Sequence, residues 1–404
     1  MRKNKGYCKL ENRRNGRSIA GKMIQMLLVF AMAVSLFVPA DVAKAETTPA
    51  TVTIQEFATQ IKDATGQDVL KDSGISDTSK VLTVEVAAFL LETADYAMNG
   101  GVYSYDFDLY SHVNYYNRIS DLSKAKKTYR KALQMCFTKG IIIGKSNGKY
   151  SQDRKLSPKA KVTVSAAKKY LTRLTDKSKR YKLSYDGQVI RTTNLPKNYK
   201  EYPYILASFP NSYYEKNMRF TKQREDGLYL TAKQVTEEDM CAEDRDLICD
   251  KVRENLELRL NVNYKKTFTS SWKTALANTY RNPEGMTADI NNYVKKAKAR
   301  KVVVESSKIV VEPSSLWFDQ GTGSYYVRVY ATFKVKSGNV PSAKSLKQNE
   351  VIFGDYVAMK NLPSYKTVTF CNELEVRVSG NPNNQRIYIY GLGVDYLNDY
   401  VVTN

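Results

Sequence analysis

The sequence is poor in the residues on which most enzymatic sites depend. It contains a single histidine, His112, among 404 residues. It also lacks the HExxH, GxSxG, P-loop and dinucleotide-binding patterns. Serine and cysteine nucleophiles work with a histidine partner, and most catalytic zinc sites contain one. His112 lies in a tyrosine-rich stretch that favours a surface loop. The sequence therefore predicts a non-enzymatic protein without a metal or a cofactor.

Cysteine is scarce as well. The chain has five cysteines, and Cys8 falls in the N-terminal segment discussed below. Cys136 belongs to the apolar side of a predicted helix, while Cys241 and Cys249 lie about two helical turns apart, too far to bridge. A bond from Cys371 to either of these two remains an alternative. Four scattered cysteines do not make a disulfide scaffold, so we expect buried free thiols.

Long apolar runs are absent except near the N-terminus. A basic stretch precedes an apolar run over residues 23–40, and Ala43-Lys44-Ala45 forms a small-x-small cleavage pattern before Glu46. This order predicts a signal peptide over residues 1–45 and no transmembrane helix after its cleavage. The long basic region is typical of Gram-positive bacteria. We therefore expect a secreted protein at the cell surface or in the cell wall.

Acidic residues are too few to balance the basic ones. The chain has 63 Lys and Arg against 41 Asp and Glu, and residues 46–404 keep 54 against 39, a net charge of +15. Such a charge favours acidic partners, and wall polymers are the obvious polyanions outside a cell. The basic residues are spread along the chain without a nucleic-acid-binding pattern. We predict an anionic wall polymer or glycan, or a second surface protein, as partner, and no nucleic acid.

The most informative segment covers residues 119–174. Apolar residues at helical spacing predict an amphipathic helix from Tyr129 to Phe137. Gly140 then suits a left-handed helix end, and Asn147-Gly148 indicates a turn. Ser157-Pro158 is typical of the start of a second helix, which carries Leu174 near its end. A shorter copy of the closing half begins at residues 82–83.

This order resembles an S-layer homology repeat, a module that holds secreted bacterial proteins on the cell wall. The resemblance covers about residues 53–176 and implies a helical module over residues 46–176. Pro158 and Val84 occupy positions where the family has a polysaccharide-binding arginine. With that arginine absent, two outcomes stay open: the repeat keeps its fold with weakened or lost polymer binding, or other side chains of the repeat bind the polymer. The candidates are Tyr129, Lys145, Lys149, Tyr150 and Lys159.

The remaining chain divides into a connector and a second domain. Residues 177–235 are basic and rich in proline and aromatic residues, with a hairpin predicted around Asp186-Gly187. Residues 236–404 predict helices followed by strands, most clearly an alternating strand over residues 325–336 with one wet face. The whole chain is therefore predicted to be multidomain, with an α-helical first module and an α+β second domain. In element order the second domain resembles the cone-shaped nuclear-transport-factor-like fold.

Two other functions remain open at this point. Asp106 and Asp108 lie among aromatic residues, and on a strand they would share one face, so a secreted glycan hydrolase with a carboxylate pair is one alternative. A small-ligand-binding cone domain is the other, and it would require an apolar pocket between helices and sheet.

Overall fold

The computed structural model describes residues 49–216, 229–239, 242–337, 346–347, 355–356, 361–362, 368–381, 386–396 and 401–403. The predicted signal segment and Cys241 lie outside these ranges. Residues from Thr51 onward form one compact unit. Helices and antiparallel strands both occur, which confirms the predicted α+β class. Within the described ranges, no helix is long and apolar enough to cross a membrane.

The first part of the chain is helical. Its helices are Ile54–Thr65 (α1), Val84–Met98 (α2), Phe107–Tyr115 (α3), Lys127–Thr138 (α4) and Val164–Thr175 (α5). Their inward faces share one apolar core, in which Phe57, Leu90 and Leu133 are fully buried. The stripe predicted on α4 supplies part of this core, as the 3.6-residue period requires.

Three short extended segments, residues 51–53, 81–83 and 161–163, form a closed ring from which α1, α2 and α5 begin. The amide of Val52 donates to the carbonyl of Val162 at 3.2 Å, that of Val162 to Leu82 at 2.9 Å, and that of Leu82 to Val52 at 2.8 Å. Each of the three side chains is at most 3% exposed. The ring therefore satisfies backbone groups that would otherwise be buried without partners.

The start of α5 differs from the prediction. The sequence suggested Ser157-Pro158, but α5 begins at Val164, with Thr163 as the capping residue that accepts from the Ala166 amide. Ser157 instead has a positive φ of 54°. Both sites carry a capping residue, and the hydrogen bonds of the ring decide between them, because residues 161–163 are held in extended conformation.

Asp121 joins the two halves of the predicted repeat. Its carboxylate accepts from the amides of Leu156 and Ser157, both at 2.9 Å, and is itself buried. Such charge-assisted bonds are stronger than neutral ones. Gly140 closes the helix in the left-handed conformation, as predicted, with φ of 69°. Its carbonyl accepts from the Tyr181 amide at 3.0 Å, which ties α4 to the connector.

The described residues 177–216 of the connector form an ordered strap. A hairpin pairs Leu183 with Val189, as the sequence predicted. After it, residues 190–214 include a bridge between Ile190 and Leu206 and a single helical turn, Asn211–Tyr214. A separate small core contains the aromatic rings of this strap, namely Tyr202, Phe209, Tyr213 and Tyr214.

The last part of the chain combines three long helices with a sheet. The helices are Ala242–Leu260 (α6), Ser270–Asn278 (α7) and Pro283–Ala299 (α8). Two short hairpin strands, Lys145–Ser146 (β1) and Arg154–Lys155 (β2), precede them in the chain. The later strands are Tyr229–Leu230 (β3), Asn261–Asn263 (β4), Val302–Asp319 (β5), Ser324–Ser337 (β6), Leu346–Lys347 (β7), Asp355–Tyr356 (β8), Asn361–Leu362 (β9), Val368–Asn381 (β10), Arg386–Tyr396 (β11) and Val401–Thr403 (β12).

The main sheet has the order β3-β5-β6-β10-β11-β8, with β12 paired to β10 and β4 to β5. Its pairs are antiparallel except for β11 with β8. The alternation predicted on β6 is correct for one face, because Val327, Val329 and Phe333 are fully buried. They pack in one core with residues of α6, α7 and α8.

The sequence predicted that the second face of β6 is exposed to solvent. The structure shows that only part of this face is exposed. Lys334 and Lys336 are exposed, but Arg328 is fully buried. Its guanidinium donates to the carbonyls of Tyr213 and Lys216, both at 2.6 Å. The strap therefore covers this part of the sheet, and Arg328 ties it down by donating to two of its carbonyl groups.

The cysteines whose side chains are described agree with the expectation of free thiols. Cys136 and Cys249 are free and buried. Burial raises the pKa of both thiols, and nearby carboxylates add to the effect. Of Cys371 only the backbone is described, so its predicted state stays a prediction, as does that of Cys241.

Candidate functional site

Two of the predicted polymer-binding residues lie together on the β1/β2 hairpin. Lys145 pairs in register with Lys155, and Lys149 follows in the turn region. All three side chains are exposed. The Lys308 ammonium from β5 donates to the Lys149 carbonyl at 3.3 Å. We call Lys145, Lys149, Lys155 and Lys308 the basic hairpin patch.

Tyr150 supports this patch from beneath and is not available to a ligand. It is 4% exposed, and its ring stacks on Tyr330 of β6 with centroids 3.8 Å apart. The Lys149 ammonium lies 5.0 Å from the Tyr150 ring centroid, and that of Lys308 lies 5.9 Å from the Tyr330 ring centroid. The stacked rings therefore fix the hairpin on the sheet and lie beside two of its cations.

The other two predicted binding residues take structural positions. Lys159 forms an ion pair at 2.5 Å with Glu85, which also accepts from the Lys126 amide at 3.0 Å. Tyr129 is half-buried on α4 and packs against Phe89, with ring centroids 5.5 Å apart. The five predicted residues thus do not share one contact site.

Asp106 and Asp108 lie on a helix rather than on a strand. Asp106 is the N-cap of α3, and its carboxylate accepts from the Leu109 amide at 2.9 Å. Asp108 occupies the first turn of the same helix and is exposed. The shared strand face on which the carboxylate-pair hypothesis relied is therefore absent. Negative charge in this position stabilises the helix N-terminus.

A concave surface that the sequence did not reveal lies between α3 and α6. Its volume is about 540 Å³, within the range of ligand-binding clefts. We call it the acidic cleft. Its lining residues are Ser111, His112, Tyr115, Tyr116, Tyr185, Asp244, Asp246, Leu247 and Asp250. One wall is thus mainly aromatic and the other carries three carboxylates.

The aromatic wall is built from the end of α3 and the strap hairpin. The His112 ring packs on Tyr185 with centroids 4.4 Å apart and is stacked on Tyr116 at 6.0 Å. Tyr115 meets Tyr116 edge to face at 4.9 Å and is 77% exposed. His112 is therefore half-buried in a helix, and the prediction of a surface-loop histidine is wrong. Its Nδ1 atom is buried without a partner among the described residues.

The acidic wall contains two carboxylates in different states. Asp250 interacts with the Tyr116 hydroxyl at 3.4 Å and pairs with Arg253. Asp246 lies one helical turn before it, and its Oδ2 atom is buried with no partner in the described part of the chain. Burial raises the pKa of Asp246 to about 7, the Asp186 charge adds to the shift, and Arg245 opposes it.

A buried ion pair lies behind the aromatic wall, against the Tyr116 ring. Arg118 and Asp186, both almost fully buried, are joined at 2.7 Å. Burial alone would raise the pKa of Asp186, but the Arg118 charge and hydrogen bonds from Ser184 and Gln188 hold it below its usual range. The Arg118 guanidinium also lies 4.7 Å from the Tyr116 ring centroid. This pair fixes the strap hairpin against the end of α3.

The acidic cleft was missed because its parts are far apart in the sequence. The acidic residues around position 244 lie in the first turn of α6, where negative charge stabilises the helix, and they also line the cleft. The four-residue spacing of Asp246 and Asp250 was the available signal, because it places both on one helix face. In the described residues, no three His, Cys, Asp or Glu side chains are arranged to hold a metal ion.

A second groove of about 640 Å³ lies where α6 and α7 meet the edge of β5. Its lining includes Glu254, Glu257, Trp272 and Lys308. This lining is more polar than the apolar pocket that a small-ligand-binding cone would require. That alternative therefore remains a prediction from the order of the elements.

Comparison with known proteins gives no match: no protein-family model, no curated protein and no solved structure corresponds to this chain.

Proposed function

We propose that this protein is exported, associates with the cell wall and binds an anionic wall polymer without acting on it as an enzyme. The observation that carries the proposal is the basic hairpin patch. Lys145 and Lys155 are register neighbours, the Lys308 ammonium contacts the Lys149 carbonyl, and no carboxylate of the described residues forms an ion pair with these four lysines. Lysines near an anionic surface each contribute about 1 kcal/mol to binding.

The helical module supports the resemblance to the S-layer homology repeat in one respect. Three helices start from one ring with related sequences, each a threonine followed by Ile54, Val84 or Val164. The threonines are at equivalent positions, and the residue after each is apolar where the family has arginine. We therefore propose a module of this descent whose polymer contact has moved to the basic hairpin patch.

The coarse arrangement of the second domain also fits the proposed cone. Helices α6, α7 and α8 cover one face of an antiparallel sheet, and β5 and β10 have register irregularities that bend strands. We propose that this domain serves as a binding or spacer domain that supports the hairpin on its other face.

The test is sedimentation with purified cell walls. Replacing Lys145, Lys149 and Lys155 by Gln should weaken binding roughly 100-fold at low salt, because three lysines at about 1 kcal/mol each are removed. A matched control replaces three exposed lysines elsewhere, Lys71, Lys168 and Lys169, with the same change of net charge.

The proposal requires that the control binds like the unmodified protein and that binding weakens as salt is raised, because salt screens exposed charges. Equal losses in both triple variants would refute the assignment to the hairpin. Release of soluble sugar from the walls, abolished by Asp106→Asn with Asp108→Asn, would favour the hydrolase alternative instead.

A further inference from the structure

We infer that the acidic cleft is a second binding site, separate from the basic hairpin patch, and that it takes a cationic sugar. The ligand class is a glycan that contains hexosamine units with free amino groups. The inference goes beyond the proposed docking function, because the two surfaces have opposite charge and share no residue.

The acidic cleft has the size of a ligand-binding site. A volume of about 540 Å³ is far larger than an ion or a single water needs. The walls come from α3, the strap hairpin and α6, and the buried Arg118–Asp186 pair holds the strap against the end of α3. The cleft is therefore preformed, which lowers the entropy lost on binding.

The aromatic wall presents an exposed tyrosine ring to a ligand. Tyr115 is 77% exposed although its ring is large and apolar. Both cationic contacts in this wall fall on Tyr116, whose ring centroid is 4.7 Å from Arg118 and 5.5 Å from Arg253. An exposed tyrosine face offers a platform for the C–H face of a sugar ring, with a hydroxyl at its edge for hydrogen bonding.

The charge of the cleft is set by the carboxylates that have no basic partner. Arg253 neutralises Asp250, and Asp186 neutralises Arg118. Asp246 feels the opposing charge of Arg245, but its buried Oδ2 lacks a partner among the described residues, and Asp244 also lines the cleft. A buried carboxylate without a partner is unfavourable, and an ammonium group would supply a charge-assisted hydrogen bond. The lining carries three carboxylates and no lysine or arginine, so it disfavours an anionic ligand.

The size, the aromatic wall and the charge of the cleft together favour an amino sugar over a metal ion or a basic peptide. No metal-binding arrangement of His, Cys, Asp and Glu occurs in the described ranges, so a bare metal ion lacks ligands. A lysine-rich peptide satisfies the charge but does not need a flat exposed ring. An amino sugar uses both walls in one ligand.

The experiment measures binding by titration calorimetry with two probes of equal length. One is a tetramer of glucosamine, and the other is the fully N-acetylated tetramer. The purified protein should bind the first about tenfold more tightly or better, because acetylation removes the charge. Asp246→Asn should abolish this preference, and Tyr115→Ala should weaken both probes.

Controls separate this site from wall docking. Asp246→Asn should leave sedimentation with cell walls unchanged, and the triple lysine variant of the hairpin should keep its affinity for the glucosamine tetramer. The inference is overturned if the two tetramers bind equally, if Asp246→Asn retains the preference, or if a tetralysine peptide binds as tightly as the glucosamine tetramer. Cleavage of either tetramer would overturn it as well.

Proton release gives a readout that a structural role of Asp246 would not produce. The groups that face Asp246 are Asp186 and Arg118 from behind the aromatic wall and Arg245 and Asp250 from its own helix, while His112 lines the opposite wall. A bound ammonium lowers the pKa of Asp246, so at pH 7 binding should release about half a proton more than it does in Asp246→Asn. His112→Gln should not remove this difference.

Discussion

Replacing Gly140 by alanine tests whether the junction between α4 and the strap is as tight as the structure indicates. Gly140 has a φ of 69°, where an L-residue is strained. A Cβ atom there would overlap the carbonyl oxygen of Tyr181 and lie 2.8 Å from its amide nitrogen. Gly66 has a similar φ of 75° but no atom within 4 Å of such a Cβ. The two glycines thus differ mainly in what surrounds them.

The expected destabilisation follows from these contacts. Left-handed alanine costs about 1–2 kcal/mol at either position. At Gly140 the backbone must also move away from Tyr181, which adds about 1–3 kcal/mol for overpacking. The hydrogen bond from the Tyr181 amide, now 3.0 Å long, is lost as well, for about 1 kcal/mol. Gly140→Ala should therefore lower the free energy of unfolding by roughly 3–6 kcal/mol, and Gly66→Ala by about 1–2 kcal/mol.

The assay is urea denaturation followed by far-ultraviolet circular dichroism, with both variants and the unmodified protein in one buffer. Because three hydrophobic cores need not unfold together, the midpoint of the first transition is compared if more than one appears. Equal losses in the two variants would refute the reasoning, since they would show that Tyr181 does not approach Gly140 closely.

Three further predictions use buried groups. Asp121→Ala leaves the amides of Leu156 and Ser157 unpaired and should lower the free energy of unfolding by about 2–4 kcal/mol in the same urea assay. An equally small loss of stability in Asp121→Asn and Asp121→Ala would contradict the role of the carboxylate charge. Arg328→Met removes the donors to the strap carbonyls; proteolysis within residues 177–216 should become faster, and an unchanged cleavage rate would count against the anchoring role. Cys136 and Cys249 should resist alkylation at pH 8 in the folded protein, because burial raises both thiol pKa values and blocks access; peptide mapping after labelling checks this, and rapid modification would disprove their burial.

The sequence predicted best those elements whose hydrophobic pattern reflects packing against a single neighbouring element. The alternation on β6 gave its buried face correctly, because Val327 and Val329 meet helices that the pattern itself implies. The pattern also assigned Arg328 to a wet face. Its burial depends on a strap more than 100 residues earlier in the chain, with hydrogen bonds to Tyr213 and Lys216, and alternation carries no information on such a cover.

The tyrosine-rich segment shows the same limit. The tyrosine-rich residues 103–116 predict a loop, because tyrosine has only a moderate preference for helices. The structure has helix α3 there, capped by Asp106. Once the segment is a helix, His112 and Tyr116 lie on one side and meet Tyr185. The acidic cleft needs this helix, the strap hairpin and α6 together, so no local pattern could have indicated it.

The closed ring at residues 51–53, 81–83 and 161–163 also constrains when the molecule can fold. A chain is made from its N-terminus at about 5–20 residues per second. Val52 lies at the start of the described chain, yet both of its ring bonds are complete only after Val162 has emerged. The first helix therefore waits roughly 5–20 seconds for its last neighbour. During that interval α1 can pack against α2 but still lacks its contacts with α5.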